Sequence, residues 1–225
     1  MAVGTENVRK TRILDAAERA FADSGFVGAS LRCIVQDAGV NLATVYYYFD
    51  SKEGLMQAVF KRRFDPLRRE QLELLRQYEA GSPTRPLPLA KVLEAMLTPV
   101  LRATAGNSAR SRITMRLIGR IVSEPSRMTQ ELLHKQHHQV RTAFLEAMRR
   151  SLPKVPLADL RWRIEFLWGA LAFTLANPHK ILKDTAGICD PRNTREVLPQ
   201  MTAFFSAGLR APATAAILQS STRDL

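Results

Sequence analysis

An all-α chain of about nine helices is predicted, with a three-helix helix-turn-helix domain at residues 1–50 and a larger helical domain at 51–225. Apolar residues recur at helical spacing through most of the chain, and proline- and glycine-rich breaks such as GSPTRPLP at 81–88 separate the runs. Val35, Gly39 and Val45 stand four and ten residues apart, which suits two short helices crossing at a turn. With 225 residues and 46% hydrophobic composition, the chain can bury a small head and a second, larger core.

The head reads as follows. ILDAAERAFADSGF forms a first helix with Ile13, Ala17, Ala20 and Phe21 as its inner stripe. Ser30 is placed to cap a second helix whose apolar face is Leu31, Ile34, Val35 and Ala38, leaving Arg32, Gln36 and Asp37 outside. Cys33, within that helix, reads as a small buried apolar residue. Gly39 takes the turn, where a positive φ costs glycine least. Asn41 caps a third helix that buries Val45 and Phe49 and turns Leu42, Ala43, Thr44, Tyr47 and Tyr48 outward.

Beyond the head, Leu55, Val59, Phe64, Leu67 and Leu74 continue a long helix toward Tyr78, with a kink expected at Pro66. A helix from Leu89 to Thr104 contains Pro99, where a second kink is expected. Residues 109–123 carry the stripe Ile113, Leu117 and Ile121 beside Arg112, Arg116 and Arg120. These like charges repel unless Glu94, Glu124 or Glu165 neutralises them, or unless one arginine awaits an anion in a cavity, for which Arg116 is the preferred candidate. Glu124, Pro125 and Ser126 separate this helix from the next, which includes Met128, Leu132, Val140, Phe144 and Met148 and ends before LPKVP.

The helix from Leu157 to Asn177 has two apolar stripes. One is Leu160, Ile164, Leu167, Leu171 and Leu175; the other is Trp162, Phe166, Gly169, Ala170 and Phe173. The last helix is similar, with Val197, Met201, Phe204, Phe205 and Gly208. A helix apolar on two sides needs two partners, so one stripe of each is assigned to a homodimer interface.

Charge narrows the function classes. The net charge is +12, yet residues 1–65 hold nine Lys or Arg against eight Asp or Glu, leaving +11 beyond them. Any nucleic-acid affinity of the head must therefore come from the placement of Arg9, Lys10, Arg12, Arg32 and Lys52. The basic excess of the body reads either as a solvated surface or as attraction for an anionic ligand.

Cys33 and Cys189 make neither a disulfide framework nor a zinc spacing, and Cys189 in a polar loop is the only redox candidate. His134 and His138 share a helical face with His137 adjacent, but no Cys or carboxylate cluster accompanies them, so no metal site is assigned. No phosphate-binding glycine loop, Ser-His-Asp order or paired catalytic carboxylates point to an enzyme, and no cofactor is called for. No apolar run spans a bilayer and no signal sequence is evident, so the expectation is a cytoplasmic protein that does not bind membranes.

The exposed residues of the third helix suit double-stranded DNA. A major groove admits one helix, whose N-terminal Leu42 and Ala43 can meet thymine methyls. Thr44, Tyr46 and Lys52 would grip phosphate, the tyrosine fixing register and the lysine releasing counterions.

AGVNLATVYYYFDSKEGL resembles the DNA-binding signature of the TetR family of transcriptional regulators, in which Ala-Gly-Val, a Tyr, a Phe and Ser-Lys-Glu-x-Leu follow in this order. The resemblance covers roughly residues 9 to 60. Leu31 stands where a threonine is common in that family, so no phosphate contact carries over to it. Leu42 and Ala43 stand where small or basic residues often occur.

By this resemblance the second domain binds a small-molecule effector and dimerises through its last two long helices. The implied DNA-binding residues are Ser30, Arg32, Asn41, Leu42, Ala43, Thr44, Tyr46, Tyr47, Tyr48 and Lys52. Effector candidates are Met96, Met115, Arg116, Arg120, His137, Phe166 and Phe173. Those for the dimer are Trp162, Phe166, Gly169, Ala170, Val197, Met201, Phe204, Phe205 and Gly208.

The C-terminal half is also similar to a fatty-acid-responsive subgroup, through the order Arg116-Leu-Ile-Gly-Arg, Glu124-Pro125, Leu152-Pro153 and Trp162-Arg-x-x-Phe166-x-x-Gly169-Ala170. The implied protein is a homodimeric repressor on a palindromic operator, with half-sites about 34 Å apart, released by a small anionic or lipophilic effector. The alternative is an architectural DNA-binding protein without an effector.

Overall fold

The computed structural model describes the backbone of residues 2–106, 108–123 and 127–214, with side chains at all of these except 2–5, 122–123 and 127–137. Among the described residues there are ten helices and no strand. They are α1 (Ala2–Gly28), α2 (Leu31–Ala38), α3 (Leu42–Phe49), α4 (Lys52–Ala80), α5 (Leu89–Thr104), α6 (Ala109–Ser123), α7 (Arg127–Ser151), α8 (Leu157–Ala176), α9 (Pro178–Asp184) and α10 (Thr194–Arg210).

Nine of these correspond to the predicted helices, and α9 is additional. Asn177-Pro178 reads as a stop signal in sequence, but proline also fits the first turn of a helix, and Pro178 starts α9 in that way. Each of α4, α5 and α10 runs on past its internal proline, Pro66, Pro99 and Pro199, as a single helix. Gly25, at φ 73° and ψ 176°, interrupts α1 near its end.

The chain divides into two compact units, Met1–Leu67 with Asn107–Lys135, and Arg68–Gly106 with Gln136–Leu225. The boundary expected after residue 50 follows the motif, whereas packing gathers the start of α4 and all of α6 with the head. Charge is redistributed accordingly: the first unit holds fifteen Lys or Arg against ten Asp or Glu, because α6 is arginine-rich.

In the first unit, Ile13, Ala17 and Phe21 of α1 are buried as their spacing predicts, together with Ile34, Ala38, Val45, Phe49 and the α4 residues Leu55, Met56, Val59 and Phe60. Phe21, Phe26, Phe60 and Phe64 form a run of tilted ring contacts with centroids 5.5, 5.1 and 5.4 Å apart, joining α1 to α4. Each such pair adds roughly 0.5–1.5 kcal/mol beyond the area it buries. Leu117 of α6 is enclosed in the same core, flanked by the partly buried Ile113 and Ile121.

Arg116 and Arg120 of the α6 row find their partners on α1, whereas the sequence pointed to Glu94, Glu124 or Glu165. Arg116 pairs with Asp23 on α1, and Arg120 donates to the backbone oxygens of Ala22 and Asp23. Packing at Leu117 brings the row over the end of α1, whose carbonyls and carboxylate then serve the guanidinium groups. Glu94 instead accepts from Tyr78 Oη at 2.8 Å and Lys91 Nζ at 2.7 Å, and Glu165 pairs with Arg141. Glu124 lies outside the described residues.

In the second unit, α5 buries Leu89, Val92, Leu93, Met96, Leu97 and Leu101, and α10 packs on it with Met201, Phe205 and Leu209 inside. Gln71 Nε2 donates to the Met96 oxygen at 2.7 Å. Arg163 of α8 reaches the end of α10, donating to the oxygens of Leu209 and Ala211 at 2.9 Å and Pro212 at 2.7 Å. A cation there satisfies carbonyls that a helix C-terminus leaves open.

Candidate nucleic-acid interface

The turn is built as its residues dictate. Gly39 adopts φ 61° and ψ 45°, so the Val40 N–H bonds to the Val35 oxygen at 3.0 Å and the Gly39 N–H to the Gln36 oxygen at 3.2 Å. Val45 is fully buried and Val35 partly so, which holds α2 and α3 across the turn. Ser30 occupies the N-cap of α2 with extended backbone, but its side chain makes no capping bond. Ser30 is exposed, so solvent can serve those N–H groups.

Asn41 does cap α3. Its Oδ1 accepts from the Thr44 N–H at 2.8 Å and from Thr44 Oγ1 at 2.6 Å. The Thr44 hydroxyl is therefore directed at the cap and must leave Asn41 before it can donate to a phosphate. Leu42, Ala43, Tyr46 and Tyr47 project from the exposed face, Tyr47 being 75% exposed.

Tyr48 differs from the outward position expected. It is half-buried, edge-on to Tyr47 at 5.0 Å and packed beside Phe49, and desolvation, then Glu6, raises its pKa above the ordinary phenol value. It remains a protonated donor throughout the physiological range. Arg32 is exposed on α2, and so is Cys33, contrary to its expected burial, because Ile34 and Ala38 take the inward face of that helix.

Basic groups of α1 gather beside the motif. Lys10 Nζ lies 5.9 Å from the Phe49 ring centroid, within cation–π range. The Arg12 guanidinium comes so near Gly39 that an added Cβ would lie 2.4 Å from Nη2. Arg19 of α1 pairs with Asp37 of α2 at 2.8 Å. Lys52 is half-buried, and its Nζ donates to the Val27 oxygen at 3.0 Å, leaving two of its three protons for other partners.

Two structural residues of the motif escaped the sequence reading. Ser51 Oγ accepts from the Gly54 N–H at 3.0 Å and so caps α4. Gly54 approaches the Phe49 carbonyl so closely that a Cβ would lie 2.0 Å from that oxygen. The signal was the order Ser-Lys-Glu-Gly before an apolar run, a capping pattern with a small residue at the crowded position.

Residues 13–59 match the family model of bacterial regulatory proteins of the tetR family, and residues 94–208, just over half of the chain, match the tetracyclin repressor-like C-terminal domain. The chain belongs to the TetR family.

Among similar proteins, the HTH-type transcriptional regulator UidR of Escherichia coli strain K12 is 42% identical over 50 residues, covering 22% of this chain and 26% of UidR. The chain thus matches about a quarter of that relative's length. BetI of Burkholderia ambifaria strain MC40-6 is 24% identical over 178 residues, 76% of this chain and 86% of BetI. In fold, a TetR-family regulator from Shewanella sp. PV-4 superposes with a TM-score of 0.59 at 17% identity, covering 88% of this chain and 95% of its own. Salmonella enterica GusR gives 0.54 at 19% identity, over 90% and 96%.

The remaining candidate residues sort by burial. Trp162 and Phe166 are 66% and 65% exposed, their rings stacked at 5.8 Å, and Phe173, Gly169, Phe204 and Gly208 are exposed as well. Ala170 and Val197 are intermediate. Met201 and Phe205, expected at the dimer, instead point into the core of their own unit, because α5 packs on that face of α10. Phe166 and Phe173 lie on the surface rather than in an enclosed pocket. Met96 and Met115 are buried, Arg116 and Arg120 are engaged with α1, and the His134 and His137 side chains lie outside the described residues. Among the described residues, no helix is long and apolar enough to cross a membrane.

Proposed function

We propose that the chain is a homodimeric repressor that binds a palindromic operator and is released by a small effector, anionic or lipophilic in character. The observation that carries the DNA reading is the exposed face of α3, where Leu42, Ala43, Tyr46 and Tyr47 stand on a helix capped by Asn41. Apolar and phenolic side chains gain nothing from water at that density, whereas a major groove offers methyl groups and phosphates to both. Lys10, Arg12 and Arg32 supply nearby charge for backbone contacts.

The dimer reading is supported by aromatic residues that the subunit leaves uncovered, Trp162, Phe166 and Phe173 on α8 and Phe204 on α10, with Phe204 72% exposed. Glycines at 169 and 208 are exposed among them and would permit close helix approach. For the effector, the support is two buried hydroxyls of the second unit, those of Thr98 and Ser206, which have no hydrogen-bond partner among the described residues. A ligand that prefers the non-binding conformation by about 3 kcal/mol would weaken operator affinity more than a hundredfold.

Fluorescence anisotropy with a genomic duplex selected by the protein, compared with scrambled duplexes over a salt series, tests this function. A sequence-dependent term of about 4 kcal/mol or more is expected. Equal affinity for all duplexes would remove the operator from the reading.

A further inference from the structure

We infer that the cleft between α1, α4 and the start of α6, lined by Asp15, Glu18, Arg19, Arg62, Arg63 and Arg110, binds a small phosphate-type oxyanion. All these residues belong to the first compact unit, and the cleft encloses about 390 Å³, within the range of small-ligand pockets. The site is independent of any effector in the second unit.

Its charge is unbalanced. Glu18 is buried and accepts from Arg62 Nε at 2.8 Å and from Arg63, and Asp15 pairs with Arg62 at 2.9 Å. Arg19 is held by Asp37, outside the cleft, and Arg110 has no carboxylate partner among the described residues. With Asp37 counted beside Arg19, four guanidinium groups meet three carboxylates, a surplus of +1 that a phosphate-type oxyanion complements.

The Arg63 side chain is only 9% exposed, its Nη groups reach Thr114 and Glu18, and its buried Nε has no acceptor among the described residues. Burial, and next the positive charge of Arg110, lower its pKa, while Asp15 acts in the opposite direction. The exposed Arg110 guanidinium and the partly exposed Arg19 and Arg62 are the groups that ligand oxygens entering the cleft can meet. Guanidinium groups match phosphate in a bidentate geometry, which favours it over a halide.

Occupancy has a structural consequence. Arg19 lines the cleft and also holds Asp37 of α2 by two bonds at 3.2 and 2.8 Å. An oxyanion drawing Arg19 inward competes with Asp37 and loosens that tie to the supporting helix of the DNA-reading motif.

Isothermal titration of the full chain with inorganic phosphate, at an ionic strength held constant with chloride, tests the site. Saturable binding at one site per subunit is expected. Arg110 is exposed, so Arg110→Ala should keep the helical circular dichroism and weaken phosphate by about tenfold or more. Arg32→Ala, on the DNA-facing side, should bind phosphate as the parent does. The inference is overturned if no saturable binding occurs, if Arg110→Ala binds undiminished, or if Arg32→Ala loses binding. Acetate binding as tight as phosphate would overturn the assignment of ligand class.

Discussion

Lys52 Nζ donates to the Val27 backbone oxygen at 3.0 Å, tying the first residue of α4 to the last turn of α1. A lysine at a helix C-terminus is worth roughly 0.3–1 kcal/mol. Lys52→Met keeps the aliphatic stem and should lower stability by about that amount in urea denaturation. The same variant should make the log-log salt slope of operator binding shallower by about 1, one phosphate contact's worth. Loss of stability with an unchanged slope would leave Lys52 a purely structural residue.

Gly54 should be far less tolerant than Gly39. A Cβ at Gly54 meets the fixed Phe49 carbonyl at 2.0 Å, so Gly54→Ala must displace backbone, with an expected cost of about 3 kcal/mol. At Gly39 the close atom is the movable end of Arg12, and the main penalty is the left-handed backbone, about 1–2 kcal/mol. Paired denaturant titrations give both numbers, and an equal cost at the two positions would contradict the distinction.

On α10, neighbouring residues should fail in different ways. Phe204 is exposed and Met201 is buried. Phe204→Glu should leave each subunit folded but shift sedimentation toward the monomer and weaken operator binding. Met201→Ala should instead lower the unfolding free energy by about 2–5 kcal/mol. A Phe204→Glu protein that stays dimeric would move the interface away from this face.

Acidification should expose the Glu94 cluster. Its hydrogen bond from Lys91 and then that from Tyr78 hold the Glu94 pKa below the ordinary glutamate value, against partial desolvation. A folded-state pKa that is depressed contributes stability above the unfolded-state pKa and loses it as pH falls through the folded value. Stability should therefore decline below about pH 4.5, and Glu94→Gln should show a smaller decline over that window. Thermal melts from pH 6 to 3 would reveal this, and parallel curves for the two proteins would assign the acid sensitivity elsewhere.

Much of the head was legible because its constraints are local. Gly39 needs a left-handed turn, Asn41 is three residues before the Thr44 N–H it serves, and Ile13, Ala17 and Phe21 repeat at the period of one helix. Ser30 and Cys33 were misread because a residue type indicates a preference for a cap or a core without deciding whether solvent already fills that role. The arginines of α6 were misassigned because their partner, Asp23, lies 93 residues before Arg116.

The chain alone determined the all-helical class, the helix-turn-helix and the doubly apolar character of α8 and α10, all of which follow from periods and caps within a few residues. Only the tertiary structure decided that α6 packs with the head, that Met201 and Phe205 turn inward while Phe204 stays outside, and that Arg19, Arg62, Arg63 and Arg110 share one cleft. Periodicity specifies which side chains share a face. Which element covers that face depends on contacts between residues distant in sequence, where no local spacing records the choice.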